Sequence, residues 1–248
     1  MLPGIEPLAR SASKLRRLGV ILATLMVTAL YSLKVIVRAL LHRLDRPRMD
    51  YYTRAWASRL LYLVRMQFSV QGPIPDFSDG RRYLILCNHS SHFDIPVSFV
   101  AMPGSVRMLA KKELFRIPLL GAAMKAGDFP SIDRHNREQA LADLRVARQL
   151  MESGIVLWAA PEGTRSADGR LQPFKKGCFH LALDTGAIIV PVAIRGIHQV
   201  LPARTFKLNL GQPVQLRFGT PIDAGTYSVQ QMENLMEEVR KQIQSLLD

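Results

Sequence analysis

The sequence predicts an α/β fold: a mixed, mainly parallel sheet flanked by helices, preceded by a membrane-associating helical hairpin. Three observations point there. The runs Tyr83–Cys87, Ile155–Ala159 and Ile188–Ile194 are short and almost wholly apolar, as strands buried on both faces are. An amphipathic segment, Arg137–Ser153, leads into the second of these runs and supplies the crossover that parallel strands require. The first seventy residues read differently, as two helices with cations and long apolar faces.

Composition narrows the class of partner. The chain has 248 residues, 33 Lys and Arg against 20 acids, and a formal charge of +13. That length suits one catalytic domain with a real core. The charge is uneven, since residues 1–60 hold eleven basic residues against three acids and so carry +8. Such a surface seeks anionic lipid, acidic substrates, an acidic carrier protein or nucleic acid. No DNA-reading motif accompanies the charge, and the basic residues of the later chain lack interleaved aromatics. Cys87 and Cys178 lie far apart in no metal-ligand pattern and read as buried thiols, which fits a reducing, cytosolic face. The acids and histidines show no metal cluster, and neither a metal nor a cofactor is expected.

Leu18–Leu33 is a run of sixteen uncharged, mostly apolar residues behind Lys14, Arg16 and Arg17. No cleavage site supports a signal peptide. Sixteen residues of helix reach about 24 Å, short of the roughly 30 Å hydrocarbon core. Arg17, Thr24, Thr28, Tyr31, Lys34, Arg38 and His42 share one side of the helical wheel. A helix lying in the membrane surface is therefore the first expectation and a single span the alternative. Pro47 ends the pattern, and residues 49–68 form a second helix candidate with Tyr51, Tyr52 and Trp56 near its start. Turn chemistry from Gln71 to Gly80 then separates an N-terminal segment, 1–70, from a catalytic domain, 71–248.

In that second part the strand Tyr83–Cys87 hands over to Asn88-His89-Ser90-Ser91-His92-Phe93-Asp94. Ser90 and Ser91 are good helix caps and Asp94 falls in a first helical turn. A histidine and an aspartate five residues apart can fold back on each other as a base and its orienter. A helix follows over Ile95–Met102, then a strand over Val106–Ala110 that ends at Lys111-Lys112. Ile117–Ala126 is a helix or buried crossover, followed by Gly127 to Arg134. After Arg137–Ser153 and its Gly154 cap, the strand Ile155–Ala159 delivers Pro161-Glu162-Gly163-Thr164-Arg165-Ser166. There Gly163 permits a sharp turn, and Arg165 has the planar fork that clamps a phosphate. Gln172 to Gly177 opens a helix at Cys178–Asp184, with Lys175 and Lys176 at an end where the macrodipole disfavours cations. Such cations are better explained by an anionic ligand than by stability. Pro191 inside Ile188–Ile194 marks that strand as bulged or at an edge. Residues 195–210 read as a basic loop, Val214–Phe218 as a last strand, and Val229–Leu247 as an amphipathic helix.

Together these blocks resemble the glycerolipid acyltransferase family, the PlsC-type 1-acyl-glycerol-3-phosphate acyltransferases. That family carries an N-H-x4-D block, a block ending in arginine, an E-G-T-R block and an apolar-Pro-apolar block, in that order. Asn88–Asp94, Ile132-Asp133-Arg134, Glu162–Arg165 and Val190–Ile194 match them in order and spacing, over roughly residues 80–220. The second block departs from the pattern: Ser131 stands where a Phe is usual and Gly127 is one place early, so only Arg134 carries over.

The resemblance implies an enzyme that moves a fatty acyl group from acyl-CoA or acyl carrier protein to the free hydroxyl of a lysophospholipid. The implied acceptor is 1-acyl-glycerol-3-phosphate and the product phosphatidate. It implies His89 as general base and Asp94 as its orienter. Lys111, Arg134, Glu162, Gly163, Thr164, Arg165 and Lys175 are implied to bind substrate, with the four cations on phosphate. Glu162 either orders the arginine or meets the acceptor hydroxyl. The poor second block leaves a lyso-ornithine lipid or lysophosphatidylglycerol open as acceptor. A non-catalytic basic protein on membrane or nucleic acid is the rival from another class. The expected location is the cytoplasmic face of the inner membrane, with the chain either monotopic or single-span.

Overall fold

The computed structural model describes residues 11–133 and 136–248. Two helices come first: α1 (Lys14–Leu40), capped by the Ser13 hydroxyl, and α2 (Arg46–Leu63), capped by the Asp45 carboxylate with Pro47 in its first turn. Next are β1 (Gln67–Gln71), β2 (Tyr83–Cys87), α3 (Asp94–Ala101), β3 (Val106–Met108) and β4 (Ala110–Lys111). A 3₁₀ turn over Lys112–Arg116 leads to α4 (Leu120–Ala126), β5 (Ser131–Ile132), α5 (Arg137–Glu152) and β6 (Val156–Ala159). The chain ends with α6 (Gly177–Thr185), β7 (Ile188–Arg195), α7 (Ile197–Val200), β8 (Pro213–Phe218), β9 (Ile222–Asp223) and α8 (Met232–Leu247).

The main sheet runs β1-β8-β7-β2-β6-β3, with β9 also on β7. Strands β7, β2, β6 and β3 are mutually parallel, so their carboxyl ends share one edge. The partner strands β8 and β9 run antiparallel to β7, and β1 runs parallel to β8, which makes the sheet mixed. Strand β2 is buried at all five positions because helices cover both faces. On one face Ile85, Val190 and Val192 pack with residues of α2 and α3; on the other Leu84, Ile189 and Ala193 pack with residues of α5, α6 and α8. The predicted α/β architecture is the observed one.

Several local expectations are corrected. The second helix stops at Leu63 rather than 68, since Arg65 takes a left-handed conformation (φ 54°) and residues 67–71 pair with β8. Ser90 and Ser91 do not cap α3; Asp94, its first residue, accepts their backbone N–H groups instead. Pro191 sits in an interior strand. It is tolerated because β7 changes partner there, from β9 at Ile189 to β8 at Val192, with one extra residue on the partner side. Cys87 is buried and Cys178 half-buried, with no disulfide between them.

The first helix is reversed from the pattern of a soluble protein. Its outward face is apolar: Leu15, Leu18, Leu22, Leu25, Met26, Leu30, Leu33 and Leu40 are exposed, Leu15 and Leu40 at 82% and 74%. The threonines of the polar stripe turn inward, and Thr28 Oγ1 accepts a hydrogen bond from Trp56 Nε1 of α2 at 3.0 Å. By length and composition α1 is able to cross a membrane. A buried ion pair, Arg107 Nη1 to Asp50 Oδ1 at 2.6 Å, ties α2 to β3.

Candidate active site

Cys87 ends β2 at the carboxyl edge of the parallel strands, where open α/β sheets place their sites. Asn88, the next residue, is locked to β7: its Oδ1 accepts the Ile194 N–H at 2.8 Å and its Nδ2 donates to the Ile194 carbonyl at 3.3 Å. The fourth sequence block thus anchors the first.

From that anchor the chain turns back on Asp94. Its carboxylate is fully buried, at 0% exposure, and Oδ2 takes three donors. These are the Ser90 N–H at 2.8 Å, the Ser91 N–H at 3.0 Å and His89 Nδ1 at 2.7 Å. Such a carboxylate selects the tautomer with the proton on Nδ1 and frees Nε2 as a base. Nε2 has no hydrogen-bond partner among the described residues, and the His89 side chain is 22% exposed. Trp158 of β6 stands edge-on to the imidazole, ring centres 6.3 Å apart.

The Glu-Gly-Thr-Arg turn follows β6, the strand next to β2. Glu162 is buried at 2% exposure and pairs with no cation among the described residues. Its Oε1 accepts the His89 N–H at 2.7 Å and its Oε2 the Gln172 N–H at 2.8 Å. The Ser166 N–H, from the same turn, donates to the His89 carbonyl at 2.7 Å. Both backbone groups of His89 are therefore held by this turn. Burial pushes the Glu162 carboxyl up, and the two N–H donors only partly offset it.

Gly163 has φ 70°, and a Cβ there would lie 3.0 Å from Lys175 Cδ and Cε and 3.3 Å from Nζ. The Lys175 side chain therefore lies against the turn, and its backbone N–H donates to the Pro161 carbonyl at 2.8 Å. Thr164 is exposed and Arg165 half-buried. Arg165 lies near enough to His92 that its charge, after burial, lowers the His92 pKa. Lys111 is exposed on β4, opposite Ile132 of β5, in a two-stranded sheet separate from the one that holds β2. Its neighbour Lys112 is engaged with Asp133. Arg134 lies outside the described residues.

Sequence reading missed four of these links: Asn88 to Ile194, Glu162 and Ser166 to His89, and Trp158 beside the imidazole. Alternation along β6 was the one available signal, because Trp158 and Val156 share the face that carries Ile85.

Fold and site together define an α/β protein with a histidine–carboxylate pair at the carboxyl edge of its parallel strands. The chain belongs to the Acyltransferase family, whose model matches residues 66–195. It is 30% identical over 187 residues to the 1-acyl-sn-glycerol-3-phosphate acyltransferase of Haemophilus influenzae, covering 73% of this chain and 74% of that one. It is likewise 30% identical over 189 residues to the coconut (Cocos nucifera) enzyme of the same name, covering 76% of this chain and 60% of the relative's length. Among solved structures it resembles the 1-acyl-sn-glycerophosphate acyltransferase PlsC of Thermotoga maritima, with a TM-score of 0.77, 27% identity, and coverage of 93% of this chain and 92% of that chain.

Proposed function

We propose that this chain acylates 1-acyl-glycerol-3-phosphate to phosphatidate, taking the acyl group from a thioester of coenzyme A or of acyl carrier protein. The carrying observation is the His89 Nδ1–Asp94 Oδ2 contact at 2.7 Å with Nε2 left open at the sheet edge. Nε2 takes the proton of the acceptor hydroxyl as its oxygen attacks the thioester carbonyl. Asp94 stabilises the imidazolium so formed. Collapse of the tetrahedral intermediate breaks the C–S bond, and the imidazolium returns its proton to the leaving thiolate. The names of the relatives support the acceptor. Arg165, Lys175, Lys111 and Arg134 are assigned to the acceptor phosphate, by their charge and the positions of the motifs. Glu162 becomes a positioning residue for the His89 backbone rather than a substrate ligand.

An apolar groove between the hairpin and the body, lined by Tyr31, Val35, Trp56, Phe99, Met108 and Phe129 among others, suits a fatty acyl chain. The outward apolar face of α1 supports attachment to a membrane, and the cytoplasmic face of the inner membrane is the side assigned to the chain. The α1 helix is about 40 Å long, and the catalytic body meets it near both ends: Ala12, two residues before it, donates its N–H to the Leu208 carbonyl, and Val35 lines a groove with Phe99, Met108 and Ala123. A helix so covered along one side favours lying in one leaflet over crossing it.

The test is a panel of lysolipid acceptors against both thioester donors, reading thiol release. Release with 1-acyl-glycerol-3-phosphate well above that with lysophosphatidylglycerol or a lyso-ornithine lipid is expected. The opposite ranking would refute the acceptor, and no release with any acceptor would refute the enzyme.

A further inference from the structure

An isolated exposed apolar side chain is ordinary on a protein surface, but Phe206 is set apart by what surrounds it. It is 83% exposed at the tip of a loop whose flanks, Ala203 and Leu208, are buried. Its neighbours Arg204, Thr205 and Lys207 are all exposed. The tip is held in shape: the Thr205 hydroxyl donates to the Pro202 carbonyl at 2.9 Å, and the Asn209 side chain donates to the Gln199 carbonyl at 2.6 Å. Arg204 adopts φ 61°, a left-handed conformation that a residue with a side chain takes only where its surroundings impose it.

This loop is seated on the start of α1. Arg17 Nη1 donates to the Phe206 carbonyl at 3.3 Å, Ala12 N–H donates to the Leu208 carbonyl at 3.0 Å, and Ser11 pairs with Asn209. Exposed Lys14, Leu15, Arg16 and Leu18 lie beside these contacts on α1. Neither segment carries an acid: residues 11–44 and 185–222 contain no Asp or Glu. The two segments thus bring apolar, cationic and uncharged polar side chains together with no carboxylate of their own.

We propose that the Arg204–Lys207 loop is a second membrane contact, with Phe206 entering the acyl region of an anionic phospholipid bilayer and Arg204 and Lys207 meeting its headgroups. The proposal rests on the in-plane reading of α1. Its occupant is chosen by charge complementarity and by continuity with the apolar face of α1. It also has a mechanical consequence. A single helix on a surface is free to roll about its axis, whereas a second contact at one end fixes the roll. The catalytic edge then meets the bilayer at one orientation.

The experiment uses the full chain and sedimentation with neutral phosphatidylcholine vesicles, with and without phosphatidylglycerol. Phe206→Ser is expected to weaken binding to both by about tenfold, the scale of exposing a buried phenylalanine. Arg204→Gln and Lys207→Gln should each weaken binding about fivefold on the anionic vesicles and leave neutral-vesicle binding unchanged, since each cation near a charged surface counts for about 1 kcal/mol. Phe206→Trp should add emission that shifts to the blue on vesicles and is quenched by lipids brominated along the chain. Activity on a soluble short-chain acceptor should stay at the wild-type level in all four.

Wild-type binding with no loss in the variants and water-like emission from the added tryptophan would overturn the loop assignment and leave α1 as the anchor. Absence of wild-type binding would overturn both readings. Loss of activity on the soluble acceptor would make the loop part of the catalytic machinery and overturn it as a membrane contact.

Discussion

Glu162 holds His89 by the backbone: Oε1 accepts the His89 N–H at 2.7 Å, while Ser166, four residues further on, donates its N–H to the His89 carbonyl at 2.7 Å. The imidazole is oriented twice over, by Asp94 at its ring and by the Glu-Gly-Thr-Arg turn at its peptide groups. A buried carboxylate is costly unless its lone pairs are used, and this one uses both oxygens on N–H groups of separate segments.

Glu162→Gln tests that role. The amide offers one acceptor where two N–H groups need one, and turns its own NH2 toward the other donor. The His89 loop should shift, lowering turnover about 10²-fold, the scale of a misplaced reacting group, with little change in either KM. The pH dependence has a definite sign. Burial raises the Glu162 carboxyl above its usual 4.5, so the folded chain holds that proton more tightly than the unfolded chain. Its contribution to stability is complete below about 4.5 and is lost as pH rises through the folded value. Urea unfolding should therefore show the wild-type advantage over Glu162→Gln shrinking as pH rises from about 4.5. An advantage that grows with pH would contradict this placement of Glu162.

His89→Ala and Asp94→Asn should separate. Removing a general base costs about 10²–10⁴-fold in turnover, and since His89 is partly exposed its loss should leave thermal unfolding nearly unchanged. The second Asp94 oxygen, Oδ1, is buried and has no partner among the described residues. An asparagine can set its carbonyl against the three donors and its NH2 in that vacant direction, so the loop persists and only the charge is lost. Asp94→Asn should thus fold normally and lose less activity than His89→Ala. A larger loss in Asp94→Asn, with its unfolding temperature intact, would mean that the carboxylate itself carries the proton.

Much of this was legible in the sequence, for physical reasons. Continuous apolar runs such as Tyr83–Cys87 admit few alternatives to a strand covered on both faces, and α5 announced itself by its spacing. Strand β1 was not legible, because residues 67–71 carry only two apolar side chains, Phe68 and Val70, half-buried on an outer strand, and merge with the end of a helical pattern. The His89–Asp94 contact was legible because the two residues are local. The Glu162–His89 bond was not, since it spans 73 positions and depends on β6 lying beside β2. The polar stripe of α1 was found but its direction was not: periodicity gives the angle between faces and not which face the body covers.

The cation assignment is tested at Gly163 and Arg165. At φ 70° an alanine is strained by about 1–2 kcal/mol, and its Cβ would displace the Lys175 tail lying 3.0 Å away. Gly163→Ala should raise the acceptor KM, and adding Lys175→Ala should change little further, because the ammonium is already displaced. Arg165→Lys should also raise the acceptor KM although the charge remains, since an ammonium lacks the planar fork. Initial-rate measurements with each substrate varied in turn decide the matter. A rise confined to the donor KM would move these residues to the donor's phosphates.

The outward face of α1 gives the sharpest test of how the chain meets the membrane. Leu22, Leu25 and Met26 are exposed, so Leu22→Asp and Leu25→Asp remove little packing within the protein. Surface changes of this kind usually alter stability by no more than about 0.5 kcal/mol. If the face lies among acyl chains, placing a carboxylate there is expensive, and anionic headgroups repel it further. Each variant should unfold like wild type yet pass from the membrane to the soluble fraction. It should also lose activity on bilayer-presented acceptor far more than on a short-chain soluble one. A helix that crosses the bilayer makes a different prediction about sides. The catalytic body contacts both Ala12, just before α1, and the groove wall at Val35 near its end, so crossing would require those contacts to break. Tags before Lys14 and after Asp248, tested with protease on sealed vesicles, should therefore be cut together. A protected N-terminal tag beside an exposed C-terminal one would establish a span and overturn the in-plane placement.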